Sequence, residues 1–505
     1  MDMEKNVLEF LENASAAYAD KIAVKDGSRE CTFSGLCQNA KKIGSALAEY
    51  AIAGKTIPVY MEKGVTALEA FWGITYAGGC YSLMNPVQPQ ERIEKILDIL
   101  NAPCLITDRN SYAGLSGIKF DGQIFFAEDL VEHPVDEGIL KQVREKSIDT
   151  DALYVNFTSG STGIPKGVVV GHKSVIEFIH YFVSIFHITS EDIIGNQAPF
   201  DFDVSVKDIY SMLLTGATMY IIPKECFSFP KKVLDILVQE KITTLIWAVS
   251  ALCMITSLRG FTYKIPETVN KVLFSGEVMP WKHLQEWRKA LPQAMFVNLY
   301  GPTEITCNCT YYIVGEECEE TVPIGKAFPN ERVFLLDEMQ KEVRDINAEG
   351  EVCVAGSTLA LGYYGDPERT QKVFVQNPLN PSYHELIYRT GDIAYYREDG
   401  NLVYVGRKDF QIKHLGHRIE LGELETYIGM IQGIDRVCCL YDEGRQQIVA
   451  IYQGDVEKAA IKKELRKKVI KYMIPERYIA VGQMPLTPNG KIDRKQLKAE
   501  YFQGR

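Results

Sequence analysis

Residues Phe157 to Gly167 read FTSGSTGIPKG. The stretch sets the hydroxyls of Thr158, Ser159, Ser161 and Thr162 among Gly160, Gly163 and Gly167, with Lys166 at its exit. Glycine lets backbone approach a ligand closely, so such a loop can turn amide N–H groups, hydroxyls and one cation toward a polyphosphate. The common nucleotide-binding pattern GxxxxGK[ST] is excluded, because Pro165 precedes Lys166 and Gly167 follows where Ser or Thr is required. A flexible Ser/Gly connector is the plain alternative, but a connector seldom exits through Pro-Lys-Gly into a strand such as Val168-Val169-Val170.

The loop follows an apolar strand, Leu153 to Phe157, and sits inside a chain whose period keeps switching between strand and helix. Ahead of it, a helical pattern at Ser34 to Tyr50 alternates with strands at Thr56 to Tyr60 and Pro103 to Thr107. Behind it, strands are predicted at Ile193 to Asn196, Ala217 to Ile222, Thr244 to Val249, Val272 to Phe274 and Met295 to Leu299. Helices at Asp203 to Leu214, Lys231 to Gln239, Ser250 to Leu258 and Trp281 to Leu291 separate them. This is an α/β pattern of doubly wound, mostly parallel sheets, in which ligands bind beyond the carboxyl ends of strands. From about Glu331 shorter strands predict a β subdomain, and past Asp409 a small α+β module with a helix over Val456 to Tyr472 is expected. The expected domains are 1–408 and 409–505.

Size and composition narrow the function classes. A chain of 505 residues with 46% apolar and 24% charged residues buries a large core and divides into domains. The net charge of −11 is dispersed, which argues against nucleic acid. An acidic start and the lack of any long apolar run predict a cytoplasmic protein without membrane insertion. Twelve cysteines without Cys-x-x-Cys spacing read as buried small hydrophobes rather than a zinc site.

Four further stretches carry chemistry. Tyr300-Gly301-Pro302-Thr303-Glu304 sets an aromatic, a tight turn, a hydroxyl and a carboxylate together, suited to a purine, a phosphate and Mg²⁺; alone it is equally a good β-turn. Tyr388-Arg389-Thr390-Gly391-Asp392 puts a carboxylate after a strand, where it can take ribose hydroxyls or merely end a turn. Gly406-Arg407-Lys408-Asp409 leads to Gly416-His417-Arg418-Ile419-Glu420, which also reads as a charged hairpin. Pro488-Asn489-Gly490-Lys491 presents a lysine on an Asn-Gly turn, where solvation is the usual fate.

Together and in this order, the five stretches resemble the adenylate-forming superfamily of acyl-CoA synthetases, luciferases and amino-acid adenylation domains over essentially the whole chain. Asn196 to Tyr210, Leu273 to Pro280 and Asp409 to Glu425 are most similar to D-alanine–[D-alanyl carrier protein] ligases. The resemblance implies a large core with a mobile C-terminal lid, and two reactions: a carboxylate attacks the α-phosphorus of ATP, then the phosphopantetheine thiol of a carrier protein takes the acyl group. It assigns Thr158, Ser159, Gly160, Ser161, Thr162, Gly163 and Lys166 to the phosphates, Asn298, Leu299, Tyr300, Gly301, Pro302 and Thr303 to the adenine side, and Asp392 to the ribose. Tyr404, Gly406 and Arg407 would flank the nucleotide, Glu304 would hold Mg²⁺, and Asp409 would be the hinge. Lys491, with Lys166, Thr303 and Glu304, would serve catalysis by offsetting charge between an anion and a polyanion.

The resemblance places the substrate's α-ammonium against Asp203, an assignment to set beside an ordinary N-cap role. Val204, Lys207, Trp247, Leu273, Ser275, Leu299 and Cys307 complete the implied amino-acid pocket. D-alanine is the family default, yet Lys207 stands where those ligases carry an apolar residue and Ser275 where they carry cysteine. Lys207 either meets a polar group of the substrate, or pairs with Asp203 or Asp208, or reaches solvent. No Gly-Gly-x-Ser carrier attachment site follows Lys491, so the carrier is expected in trans. A CoA ligase of the same fold and a non-catalytic nucleotide sensor are the competing functions.

Overall fold

In the computed structural model, residues 4–159, 164–316, 321–487 and 492–502 are described. They divide into two compact units. The first comprises Met1–Pro86, Ile99–Asn156 and Gly167–Gly406; the second comprises Val87–Asp98, Phe157–Lys166 and Arg407–Arg505.

Two sheets of mainly parallel strands and one antiparallel sheet build the first unit. In the largest, Met295–Tyr300, Lys271–Ser275, Thr244–Ala248, Ile193–Asn196, Thr218–Ile221 and Ile22–Lys25 run parallel in that order. Thr310–Ile313 and Glu30–Thr32 add antiparallel pairs on its two sides. Strands such as Thr244–Ala248 and Thr218–Ile221 are buried throughout, which is why they read as continuous apolar runs rather than alternating ones. The second sheet holds Thr56–Tyr60, Cys80–Met84, Cys104–Thr107, Gln123–Phe126 and Ala152–Thr158. The strand entering the glycine-rich loop thus belongs to a different sheet from Met295–Tyr300. Between elements the packing is close. A Cβ on Gly73 would meet Ile43 Cγ2 at 2.2 Å, so the helices Phe33–Ala48 and Val65–Tyr76 pack together through glycine.

The predicted helix from Asp203 begins at Ser205, with Val204 at the N-cap position, so Asp203 lies outside the cap. The β subdomain is a six-stranded sheet that includes Glu331–Leu336, Glu349–Gly356 and Leu386–Tyr396. In the second unit, Ile434–Asp442, Gln447–Gly454 and Arg477–Val481 form a three-stranded sheet, beside the hairpin Gln411–His414 and His417–Glu420. The lysine-rich helix spans only Lys458–Lys468, because Val469 already has extended backbone. The segment Val87–Asp98 belongs to this unit through Lys95, whose ammonium donates to Tyr427 Oη at 2.9 Å, and through Glu91, 3.3 Å from Lys468. Among the described residues every cysteine is free, and no helix is long and apolar enough to cross a membrane.

One buried carboxyl gives the β subdomain a pH dependence. Glu331 is 9% exposed and accepts from Thr358 Oγ1, while its second oxygen has no partner among the described residues. Burial pushes this carboxyl up to about 8 from an ordinary 4.5. The folded state therefore holds a proton that the unfolded chain releases, and stability present below pH 4.5 is lost as pH rises toward about 8. Glu331→Gln should flatten the fall of Tm between pH 5 and 8, which linkage sets at up to about 1.4 kcal/mol per pH unit. Parallel melts of the variant and wild type across that range would refute this assignment.

Candidate active site

The strand Met295–Tyr300 ends in a turn that determines much of the local chemistry. A short 3₁₀ segment, Thr303–Ile305, is followed by Thr306 at φ 49° and Cys307 at φ 87°. Two consecutive non-glycine residues at positive φ cost on the order of 1–3 kcal/mol each and need outside support. Thr306 Oγ1 supplies some, donating to the Thr358 carbonyl at 2.6 Å, and Cys309 N donates back to the Tyr300 carbonyl at 2.8 Å. The doubled-back chain passes so near Gly301 that a Cβ there would lie 2.5 Å from Asn308 Cα and 2.7 Å from the Cys307 carbonyl oxygen. Only glycine fits.

Three side chains are aimed by this turn. Tyr300 donates its phenolic proton to Asp392 Oδ2 at 2.5 Å, and burial first, then Asp392, raises the phenol well above its ordinary range so that it stays a donor. Glu304 is fully buried and accepts from Tyr363 Oη at 2.6 Å, while its own carbonyl takes Ala360 N. Tyr404 lies with its ring 6.5 Å from that of Tyr300, and Asn298 is turned to the Pro323 carbonyl at 2.7 Å. Asn308, to which the sequence analysis assigns no role, proves to be the third.

Asn308 Oδ1 accepts from the Lys207 ammonium at 2.8 Å, and Ser275 Oγ lies 3.5 Å from the same nitrogen. Lys207 is 0% exposed, which removes the solvent-reaching alternative, and among the described residues its bonding partners are Asn308 and Ser275, with no ion pair to a carboxylate. Among the described residues it therefore does not form an ion pair with Asp203 or Asp208, although its charge acts on Asp208. Asp203 is 6% exposed and four residues before Lys207, just outside the helix; it and Lys207 both act electrostatically on the Cys307 thiol, which burial pushes up to about 12. Tyr154 is coupled to Asp203 and Cys307 as well, and its hydroxyl has no partner among the described residues.

Asp208 is held elsewhere. Asn196 Nδ2 donates to its carboxylate at 2.6 Å, and Asn196 Oδ1 takes the Lys63 ammonium at 2.9 Å. Burial pushes Asp208 up to about 7 and Lys63 down to about 8. Lys63 gave no sequence signal, because it lies 133 residues from Asn196.

Strand alternation sorts the remaining pocket candidates. Leu273 and Ser275 point to one face of their strand, and Leu273 and Leu299 pack in the cluster that includes Cys307. Val204 is buried at the start of the helix. Trp247 departs from the expected grouping. It pairs in register with Phe274, packs with it in a separate core and donates its indole N–H to the Gly195 carbonyl at 2.7 Å.

The loop residues are read within the second unit. Ser159 Oγ donates to the Arg418 carbonyl at 2.8 Å and accepts from Glu420 N at 3.3 Å, and Lys166 Nζ is 3.9 Å from Glu420 Oε1. Thr158 Oγ1 is buried without a partner among the described residues. Arg407 grips Asp409 with two bonds of 2.7 and 2.8 Å, tying the expected hinge to the expected nucleotide-flanking cation. Gly160, Ser161, Thr162, Gly163 and Lys491 lie outside the described residues.

No group of three or more His, Cys, Asp or Glu able to hold a metal occurs among the described residues. A single carboxylate such as Glu304 suits Mg²⁺, which is commonly held by one or two carboxylates together with phosphates and water.

Gly301→Ala is expected to force Asn308 and Cys307 outward, lowering Tm by a few degrees at about 1–3 kcal/mol of overpacking. It should also weaken nucleotide binding, measured by calorimetry. An unchanged melt would show that the turn relaxes freely.

Residues 11–364 match the AMP-binding enzyme family. Gramicidin S synthase 1 of Brevibacillus brevis is 32% identical over 98% of this chain and 44% of that protein, so the chain spans about half the length of this relative. D-alanine–D-alanyl carrier protein ligase of Lacticaseibacillus casei is 30% identical over 99% of both chains. The Vibrio cholerae adenylation domain AlmE, solved with glycyl-adenosine-5'-phosphate, superposes with a TM-score of 0.86 over 99% of this chain and 98% of its own, at 22% identity. With a family match across most of its length and a full-length relative at 30% identity, the chain belongs to the AMP-binding enzymes.

Proposed function

We propose that this enzyme activates an amino acid with ATP and passes it to the phosphopantetheine thiol of a separate carrier protein. The buried carboxylate of Asp203 carries the reading: it lies just ahead of the helix that bears Lys207, near enough to Cys307 to act on its thiol, where a substrate ammonium would give a charge-assisted bond. The D-alanine–D-alanyl carrier protein ligase that spans the whole chain, and the gramicidin S synthase of which the chain covers about half, support the same class. D-alanine is the family default.

In the first step a substrate carboxylate oxygen bonds to the α-phosphorus as the bond to the pyrophosphate oxygen breaks. In the second, the carrier thiol, giving up its proton, bonds to the acyl carbon and AMP leaves. Both bring anions together, so the chain's contribution is position and charge. Asp392, oriented by Tyr300, is assigned to the ribose hydroxyls; Thr158, Ser159 and Lys166 to phosphate oxygens; and Lys491 to the charge that develops between carboxylate and phosphate. Mg²⁺ would supply charge neutralisation at the phosphates, with Glu304 as its protein ligand, set by Tyr363. For Ser159 and Lys166 to serve phosphates, they exchange their bonds to the strand His417–Glu420, consistent with a C-terminal module that moves between the two reactions.

A CoA ligase for apolar acids fits less well, because Asp203 would be buried against a substrate without an ammonium. Amino-acid-dependent ATP–pyrophosphate exchange is the direct measurement, with Lys491→Ala expected to lower it on the order of 10²-fold or more. Exchange driven only by fatty or aryl acids would overturn the amino-acid reading, and none at all would favour a sensor.

A further inference from the structure

We propose that Lys63 is a positioning residue for amino-acid activation: its ammonium clasps the base of the loop that carries Asp203, and so sets the carboxylate against which the substrate's ammonium binds. The role rests on the amino-acid activation proposed above and adds to that site a group acting through Asp203.

The strand Ile193–Asn196 ends at the carboxyl edge of the large sheet, and the helix Ser205–Thr215 follows. Residues 197–204 connect the two and include Asp203. Three oxygens at the start of this loop take the Lys63 ammonium: Asn196 Oδ1 at 2.9 Å, the Gln197 carbonyl at 3.0 Å and the Ala198 carbonyl at 3.4 Å. An ammonium has one proton for each of them. The two carbonyls lie past the end of the strand, where the sheet ladder no longer satisfies backbone groups. From the other end of its amide, Asn196 donates to Asp208 on the first turn of the helix at 2.6 Å. Strand end, helix start and Lys63 thus meet at one side chain, and the loop is closed at its base.

The tie is carried on to Asp203 by the backbone. Pro199 fixes φ straight after the clasped carbonyls. Phe202 N then donates to the Pro199 carbonyl at 3.2 Å, Ser205 N to the Phe202 carbonyl at 3.1 Å, and Val206 N to the Asp203 carbonyl at 3.0 Å. The element that carries Lys63 braces the loop a second time. Helix Val65–Tyr76 starts just after Lys63 and sets the ring of Phe71 6.2 Å from that of Phe200, which is buried within the loop. Charge adds to the clasp: burial raises the Asp208 carboxyl to about 7, and the bond from Asn196 and the charges of Lys207 and Lys63 work against that rise. Without Lys63, the Asn196 amide loses the donor that fixes which of its ends faces Asp208. Both ends of the loop then lose their tie together.

ATP–pyrophosphate exchange by the full chain tests this role, using whichever of glycine, D-alanine and the common L-amino acids drives it fastest, with KM measured for that amino acid and for ATP. Lys63→Met should raise the amino-acid KM by about 10-fold or more, the scale of leaving buried oxygens without their donor, and move the ATP KM by less than about 3-fold. Asp203→Asn should raise the amino-acid KM by itself, and adding Lys63→Met to it should change that value by no more than about 2-fold, because the two act through one carboxylate. Melts check the folding of each variant; Lys63→Gln, which keeps a donor, should show the same split at a smaller factor and stands in if Lys63→Met does not fold. An amino-acid KM that neither lysine variant moves, a parallel rise in both KM values, factors that multiply in the double variant, or an Asp203→Asn variant with wild-type amino-acid KM would each overturn the proposal and leave amino-acid activation standing. Exchange with no amino acid would remove both readings.

Discussion

Most of the candidate site depends on one steric constraint, the passage of residues 307–309 across the face of Gly301. Backbone at that distance excludes any side chain at position 301 and pins the loop that carries Glu304. The loop holds Thr306 and Cys307 at positive φ, an arrangement costing a few kcal/mol in sum that recovers its cost through contacts with Thr358 and Tyr300. From this single knot Tyr300 reaches Asp392, Glu304 reaches Tyr363, and Asn308 reaches Lys207. The groups that the proposed function assigns to the nucleotide and to the amino acid are thus set by the same few residues.

Burial of charge is the second organising feature. Lys63 and Lys207, with Asp203 and Asp208, fall on or against the start of one helix, and each is supported differently. Asn196 bridges Lys63 to Asp208 with both ends of its amide. Lys207 has neutral oxygens instead. In a low-dielectric setting a charge with its hydrogen bonds satisfied is held in place, and losing either partner would cost the full desolvation of the other.

Glu420 is the counterpart in the second unit. It stands 3.9 Å from Lys166 and accepts from Gln411, while its backbone N–H meets Ser159. Ser159 and Lys166, on either side of the stretch that reads as a phosphate cradle, are held there by C-terminal strand atoms, and Arg407 is locked onto Asp409. A two-reaction enzyme needs such exchangeable partners, since strong but local bonds can be traded between states that differ by a few kcal/mol.

The alternation of apolar strands with amphipathic helices made the α/β class legible in the sequence, because period and burial are local properties that each segment shows by itself. The motifs were legible for the same reason: FTSGSTGIPKG and YGPTE contain their donors, acceptors and glycines within a few residues. Contacts between distant segments were not. Neither Tyr363 on Glu304 nor Lys63 beside Asn196 has a sequence signal, and Trp247 went to the core with Phe274 because strand register, which no single strand shows, fixes its face. The sequence by itself determined which groups are available, including the unexpected lysine at 207. Only the tertiary structure decided that this lysine is bonded to Asn308 and Ser275, since a buried cation takes whatever oxygens the fold brings within reach, and those came from positions 101 and 68 residues away.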